Sequence, residues 1–158
     1  MNFATGGFSL DREIAAGLPT VWRVLTDPKL REVWAAPDDD HVLHVDKHDV
    51  REGGRDRHRC GPKDAPDYTV ETHWYRLVEP AFACFTETLD IGPERLSTSL
   101  VTYAVQPADT GTRLIVEVSI VSYAGDEAIP EHEAGWTSAL DRLVALVAGG
   151  QFAGDRAG

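Results

Sequence analysis

The sequence has few cysteines, a deficit of positive charge and no long apolar run. A membrane-spanning helix needs about 18 or more apolar residues in a row, so we expect no membrane insertion. Residues 1–13 carry neither a basic segment nor a long apolar one, so they do not read as a secretory signal. With 15 basic against 26 acidic residues, the net charge of −11 argues against nucleic acid as a partner.

Only two cysteines are present, Cys60 and Cys84, and they are too far apart for a CxxC motif. Without an export signal, two reduced thiols and a cytoplasmic location are the natural expectation. The sequence also lacks the glycine-rich phosphate loops and the GxSxG elbow, so we expect no cofactor.

A long amphipathic helix is predicted over residues 130–149. Its apolar side chains recur every three or four residues, at Trp136, Leu140, Leu143 and Val147. Pro130 suits the first turn and Gly149 ends the pattern. Such a helix needs a large apolar surface to pack on, and the preceding chain offers only strands on that scale.

The rest of the chain reads as strands with two short helices near the start. Residues 8–15 alternate as a strand, and two short helices follow, separated by Asp27, a capping residue, and Pro28. From residue 41 to residue 123 the period is two, in a meander of about six strands. Grouped strands with helices at the ends predict an α+β fold with an antiparallel sheet. We expect one domain over residues 1–150 and a flexible tail over residues 151–158.

Several short motifs, taken in order, resemble the AHSA-type branch (activator of heat-shock chaperone ATPase homologue) of the START-like, or SRPBCC, superfamily. The resemblance extends from about residue 8 to residue 147. Its motifs are Val21-Trp22, residues 25–28 (LTDP), Trp34, residues 49–54 (DVREGG), Thr112-Arg113-Leu114 and Gly135-Trp136. The resemblance implies a helix-grip fold, in which a curved antiparallel sheet of six or seven strands holds the C-terminal helix with a cavity between them.

The resemblance also implies three hypotheses about function, because a fold of this kind serves several. The first is binding of a hydrophobic small molecule, lipid-like or polyketide-like, in the internal cavity without catalysis. The second is an enzyme of the cyclase, aromatase or hydrolase type. The third is an interaction protein like the activators of a chaperone ATPase. A homodimer is expected on family analogy alone.

The predicted ligand-binding residues are apolar or aromatic side chains of the sheet and the last helix. They could line the cavity or fill the core. They are Trp34, Phe85, Tyr103, Val116, Val118, Trp136 and Leu140.

His73 is the candidate general base, with Tyr75 beside it on the same face of a predicted strand. An unperturbed histidine titrates near pH 6.5, which suits proton abstraction next to a carbonyl. The facing of this strand is open: if His73 points to water, Trp74 points inward and the enzyme hypothesis loses its base.

Two further clusters of polar residues are expected to face solvent and not to form a binding site. His41, His44 and His48 lie on a predicted strand, whereas zinc ligands usually converge from several elements, so we expect no metal. The four arginines Arg51, Arg55, Arg57 and Arg59 share one face. They could bind an anionic group, but pairing with carboxylates on a solvent face is the commoner arrangement.

Overall fold

The computed structural model describes residues 1–152, which form one seven-stranded sheet and three helices. The strands are β1 Ala4–Ile14, β2 His41–Lys47, β3 Arg55–Pro62, β4 Tyr68–Val78, β5 Phe82–Ile91, β6 Glu94–Ala108 and β7 Gly111–Ser122. The helices are α1 Leu18–Thr26, α2 Pro28–Trp34 and α3 Ala128–Ala148.

The sheet is antiparallel throughout and follows the order β1-β7-β6-β5-β4-β3-β2. Strands β2 to β7 form a simple meander, and only β1 joins out of sequence, pairing with β7. Register shifts interrupt the pairing near Val45, Trp74 and Leu89. Irregularities of this kind bend strands, which suits a sheet that curves around a helix.

Buried and more exposed residues alternate strictly along β7, which shows the face of the sheet that packs in the core. Leu114, Val116, Val118 and Ile120 are all buried, and the residues between them are more exposed. Helix α3 packs on this face through the apolar side chains that its period predicted, including Leu140. Each large side chain that is fully buried here stabilises the fold by roughly 1.5–3 kcal/mol.

The two short helices are fixed by local sequence. The Asp27 carboxylate accepts hydrogen bonds from the backbone N–H of Lys29 and Leu30, at 2.9 and 3.1 Å, and so caps α2. Trp34 closes α2 and donates its indole N–H to the Val24 carbonyl at 2.8 Å. This bond ties α2 to α1.

The structure confirms the predicted helix-grip fold, with a C-terminal helix and two short helices after the first strand. The first two residues of the predicted tail, Gln151 and Phe152, are within the described chain. Phe152 is only 5% exposed, and the Arg23 guanidinium carbon lies 5.1 Å from the centre of its ring. The rest of that tail, residues 153–158, lies outside the described residues.

No helix in the described chain combines the length and apolar character that crossing a bilayer requires.

Candidate functional site: a cavity between sheet and helix

A partly open cavity of about 300 Å³ lies between the sheet and the first half of α3. Its walls come from α2, strands β2 to β6 and α3. This volume is at the lower end of the range of roughly 300–1,000 Å³ that is usual for small-molecule sites. The surface is mostly apolar, so a bound molecule would itself be largely apolar.

Three of the seven predicted ligand-binding residues line this cavity: Trp34, Tyr103 and Trp136. The rings of Tyr103 and Trp136 meet edge to face with centroids 6.3 Å apart. Leucine side chains from β2 and β5 complete the apolar wall. Aromatic rings offer large rigid surfaces, which favour binding of another flat apolar molecule.

The other four predicted residues lie in the packed core and do not line the cavity. Phe85 packs between Trp74 and Tyr103, with ring centroids 4.7 and 5.0 Å away. The remaining three, all nearly inaccessible to solvent, are Val116, Val118 and Leu140. Sequence periodicity identifies the inward face but cannot tell where along that face packing stops, so core and lining residues looked alike.

Helix α3 makes room for the cavity with small residues. Gly135 and Ala139 lie one helical turn apart on the same face, and both line the cavity. A side-chain carbon built at Gly135 would meet no atom within 4 Å. A larger residue at this position would therefore project into open space.

A buried ion pair lies beside the cavity, which Arg31 lines. The Arg31 guanidinium of α2 donates to the Asp56 carboxylate of β3 at 3.3 Å, and the two side chains are 6% and 0% exposed. The Asp49 backbone N–H donates to the same carboxylate at 2.6 Å. The positive charge of Arg31 is therefore neutralised within the protein.

His58 and Glu87 also reach the cavity from the sheet. Burial lowers the pKa of His58 to about 3, with repulsion from Arg31 adding to the effect, so the ring stays neutral near pH 7. Burial raises the pKa of Glu87, while the nearby Arg31 charge opposes the shift. Burial likewise raises the pKa of the Tyr103 phenol. All three groups are therefore held toward their neutral forms.

The wall near α3 and β2 carries more polar groups. His41 lies 2.6 Å from the Asp38 carboxylate, which stabilises the loop before β2. Glu131 and His132 line the cavity from the first turn of α3. Burial lowers the pKa of His132, whose ring lies 6.2 Å from that of Phe8.

His73 and Tyr75 lie on the outer face of β4 and do not line the cavity. Their rings contact each other at 4.3 Å, and Tyr75 is 53% exposed. The inward residues of the strand are Val70, Thr72 and Trp74. The sequence left open which way His73 points, and in the structure it points away from the cavity. The cyclase or hydrolase hypothesis therefore has no His73 base in this cavity.

Three of the four arginines that were predicted to share a face form ion pairs at the protein surface. Arg59 binds Asp46 at 2.7 Å, and Arg57 lies 3.5 Å from Glu71. Arg51 pairs with Asp49 at 3.0 Å. Residues 1–152 contain no group of three or more side chains arranged to hold a metal ion.

The polar residues of the cavity, Arg31, His58 and Glu87, were absent from the predicted site. A signal for two of them was present. In residues 55–60 the arginines alternate with Asp56, His58 and Cys60, so an outward arginine face forces the other three inward. Glu87 likewise shares parity with Phe85. No local pattern marks Arg31 as buried, since a charged residue in the first turns of a short helix normally faces solvent.

The fold and site together define a class of protein: a helix-grip domain with a mainly apolar cavity between sheet and helix. The family profile described as "Activator of Hsp90 ATPase homolog 1-like protein" matches residues 15–148. The chain belongs to this family, which confirms the resemblance drawn from its motifs. No curated protein matches the sequence.

Solved structures of bacterial proteins share the fold. The Mll3558 protein from Rhizobium loti is 22% identical, with a TM-score of 0.80, over 92% of this chain and 99% of its own. The CV1439 protein from Chromobacterium violaceum is 23% identical, with a TM-score of 0.79, over 89% and 96%. The AHSA1 protein SPO3351 from Silicibacter pomeroyi is 27% identical, with a TM-score of 0.72, over 90% and 98%.

Proposed function

We propose that this protein binds a small, largely apolar molecule in the cavity between sheet and α3. The observation that carries the proposal is the cavity itself, about 300 Å³ in volume with a mainly apolar lining, beside the hydrophobic core. Burial of apolar ligand surface would supply the binding energy, at roughly 25 cal/mol per Å² before the costs of association.

The aromatic wall favours ligands with flat ring systems. Trp34, Tyr103 and Trp136 face the same space from α2, β6 and α3. A ring placed among them would contact three rigid side chains that are held by the surrounding fold and lose little freedom on binding. A flexible lipid chain would lose more entropy in the same space.

Fluorescence titration with N-phenyl-1-naphthylamine, a neutral apolar dye, tests the proposal. Trp34 and Trp136 lie in the wall, so binding should quench their emission and increase that of the dye. Substitution Gly135→Leu, which projects into the open space, should weaken binding about tenfold or more. Ala134→Leu, on the exposed side of the same helix, is the matched control and should bind as the wild type does.

Absence of saturable binding to the wild-type protein would contradict the proposal. So would equal affinity of the Gly135→Leu and wild-type proteins, since that would put the dye elsewhere. Stimulation of a chaperone ATPase, the homodimer and the cytoplasmic location stay predictions from the sequence.

A further inference from the structure

A row of polar residues crosses the concave face of the sheet. Asp56, Thr72, Glu87 and Ser99 occupy successive paired positions on β3, β4, β5 and β6. Paired side chains on one face of a sheet lie about 4.5–5.5 Å apart at Cβ, so these four are neighbours. The next inward row contains Trp74, Phe85 and Val101, and is apolar. The polar row is therefore an exception on a face built for packing.

Most of the hydrogen-bonding groups around this row have no partner in the described protein. The Thr72 and Ser99 hydroxyls are buried in residues only 1% exposed, and neither makes a hydrogen bond. The same holds for Arg31 Nε and His58 Nδ1, in cavity-lining residues that are 5% and 3% exposed. Each such group costs about 1–3 kcal/mol when it is left unpaired, so buried polar groups normally have partners.

Glu87 is the group of the row that faces the cavity directly. It lies between Thr72 and Ser99 in the row and places a carboxyl group in the wall of the apolar space. A molecule entering along the aromatic wall would meet this carboxyl, the Arg31 guanidinium and the His58 ring together. These groups can donate or accept hydrogen bonds, which is what a hydroxyl or carbonyl group requires.

The charges of Arg31, Asp56 and His58 decide which polar group of a ligand can bind here. Asp56 already neutralises Arg31, and burial keeps His58 uncharged near pH 7. A ligand carboxylate would have to lose hydration beside an arginine that is already paired with Asp56, which is unfavourable. A phenol, alcohol or ketone carries no such cost.

We propose that Glu87, Arg31 and His58 form a polar subsite that binds a neutral hydroxyl or carbonyl group on an otherwise apolar, ring-containing ligand and rejects carboxylates. This inference rests on the proposed function, because the three residues of the subsite line the same cavity. It adds the chemical class of the ligand.

Calorimetric titration at pH 7 with three ligands that share one ring system tests the inference: naphthalene, 2-naphthol and 2-naphthoate. We expect 2-naphthol to bind about tenfold more tightly than naphthalene, the effect of one or two net hydrogen bonds. We expect 2-naphthoate to bind at least about tenfold more weakly than 2-naphthol.

Substitutions at Glu87 test its part in the hydrogen bonding. Glu87→Leu should reduce the preference for 2-naphthol over naphthalene. Glu87→Gln should keep that preference, since an amide still donates and accepts. The matched controls are the same two substitutions at Glu117, exposed on β7, and these should behave as the wild type does.

Equal affinity of the wild-type protein for naphthalene and 2-naphthol, or tighter binding of 2-naphthoate, would overturn the inference while the proposed function stands. Failure of all three ligands to bind would contradict the proposed function as well. The wild-type series alone decides the question if a Glu87 variant does not fold.

Discussion

The two faces of the sheet put similar residues to opposite uses, most clearly along β3. Outward-facing Arg57 and Arg59 pair with carboxylates in water, where ion pairs add little stability. Inward-facing Asp56 and His58 are almost inaccessible, where a charge without a partner is costly. Exposed, ion-paired arginines and buried polar residues therefore occupy alternate positions on one strand. The lesson is that burial, more than residue type, decides what a polar side chain does here.

The largest difference between the faces is expected from paired substitutions of aspartate. Asp56→Asn leaves the buried Arg31 guanidinium without its carboxylate, and breaking such a pair costs about 3–5 kcal/mol. Asp46→Asn breaks the exposed pair with Arg59 and should leave the free energy of unfolding within experimental error. Urea denaturation of both variants measures the contrast, and an Asp56→Asn protein as stable as the wild type would refute it.

A second contrast is expected from acid titration of the buried face. The pKa of His58 falls from 6.5 in the unfolded chain to about 3 in the folded protein, so its contribution is complete above pH 6.5. As pH falls from about 6.5 to 3, the unfolded state gains the proton first and stability drops, by up to about 1.4 kcal/mol per pH unit. His58→Asn should flatten this dependence in urea unfolding measured between pH 7 and pH 4.

Glu87 acts in the opposite direction over the acid range. Its raised pKa means that its contribution is fully present below the unfolded value of 4.5 and is lost as pH rises through the folded value. Glu87→Gln removes this opposing contribution and should make the acid destabilisation steeper than in the wild type. Identical pH profiles for the wild type and both variants would refute the assignment of these groups to the buried face.

The smallest effect concerns the two thiols and changes reactivity without changing stability. Cys60 lines the cavity, and burial raises the pKa of its thiol to about 11. Cys84 alternates with the inward-facing Ala83 and Phe85, so it lies on the outer face of β5. Since the thiolate is the reactive form, Cys60 should react with Ellman's reagent about tenfold more slowly than Cys84.

Single variants assign the two rates. Cys84→Ser leaves Cys60 to report on the cavity, and Cys60→Ser leaves Cys84 to report on the outer face. Bound 2-naphthol should slow the reaction of Cys60 further and leave that of Cys84 unchanged. Equal rates for the two thiols at pH 8 would contradict the assignment of Cys60 to the cavity.

Much of the fold could be read from local patterns. The period of α3, the Asp27-Pro28 boundary and the alternation in β7 each depend on contacts within a few residues, so they appear in the sequence directly. The resemblance then supplied the arrangement of these elements, and the structure confirms it. The site was harder to predict than the fold. Three of the seven predicted lining residues line the cavity, and the other four lie in the core.

The sequence by itself determined the elements, their order and the two faces of each strand, because these follow from helix and strand periods and from capping. Only the tertiary structure decided that Phe85 is core while Trp136 lines a cavity, that His73 faces outward, and that Arg31 meets Asp56. Those outcomes depend on register, on a bulge near Trp74 and on where α3 stops filling the concave face. They are properties of residues far apart in the chain, whose contacts no local pattern encodes.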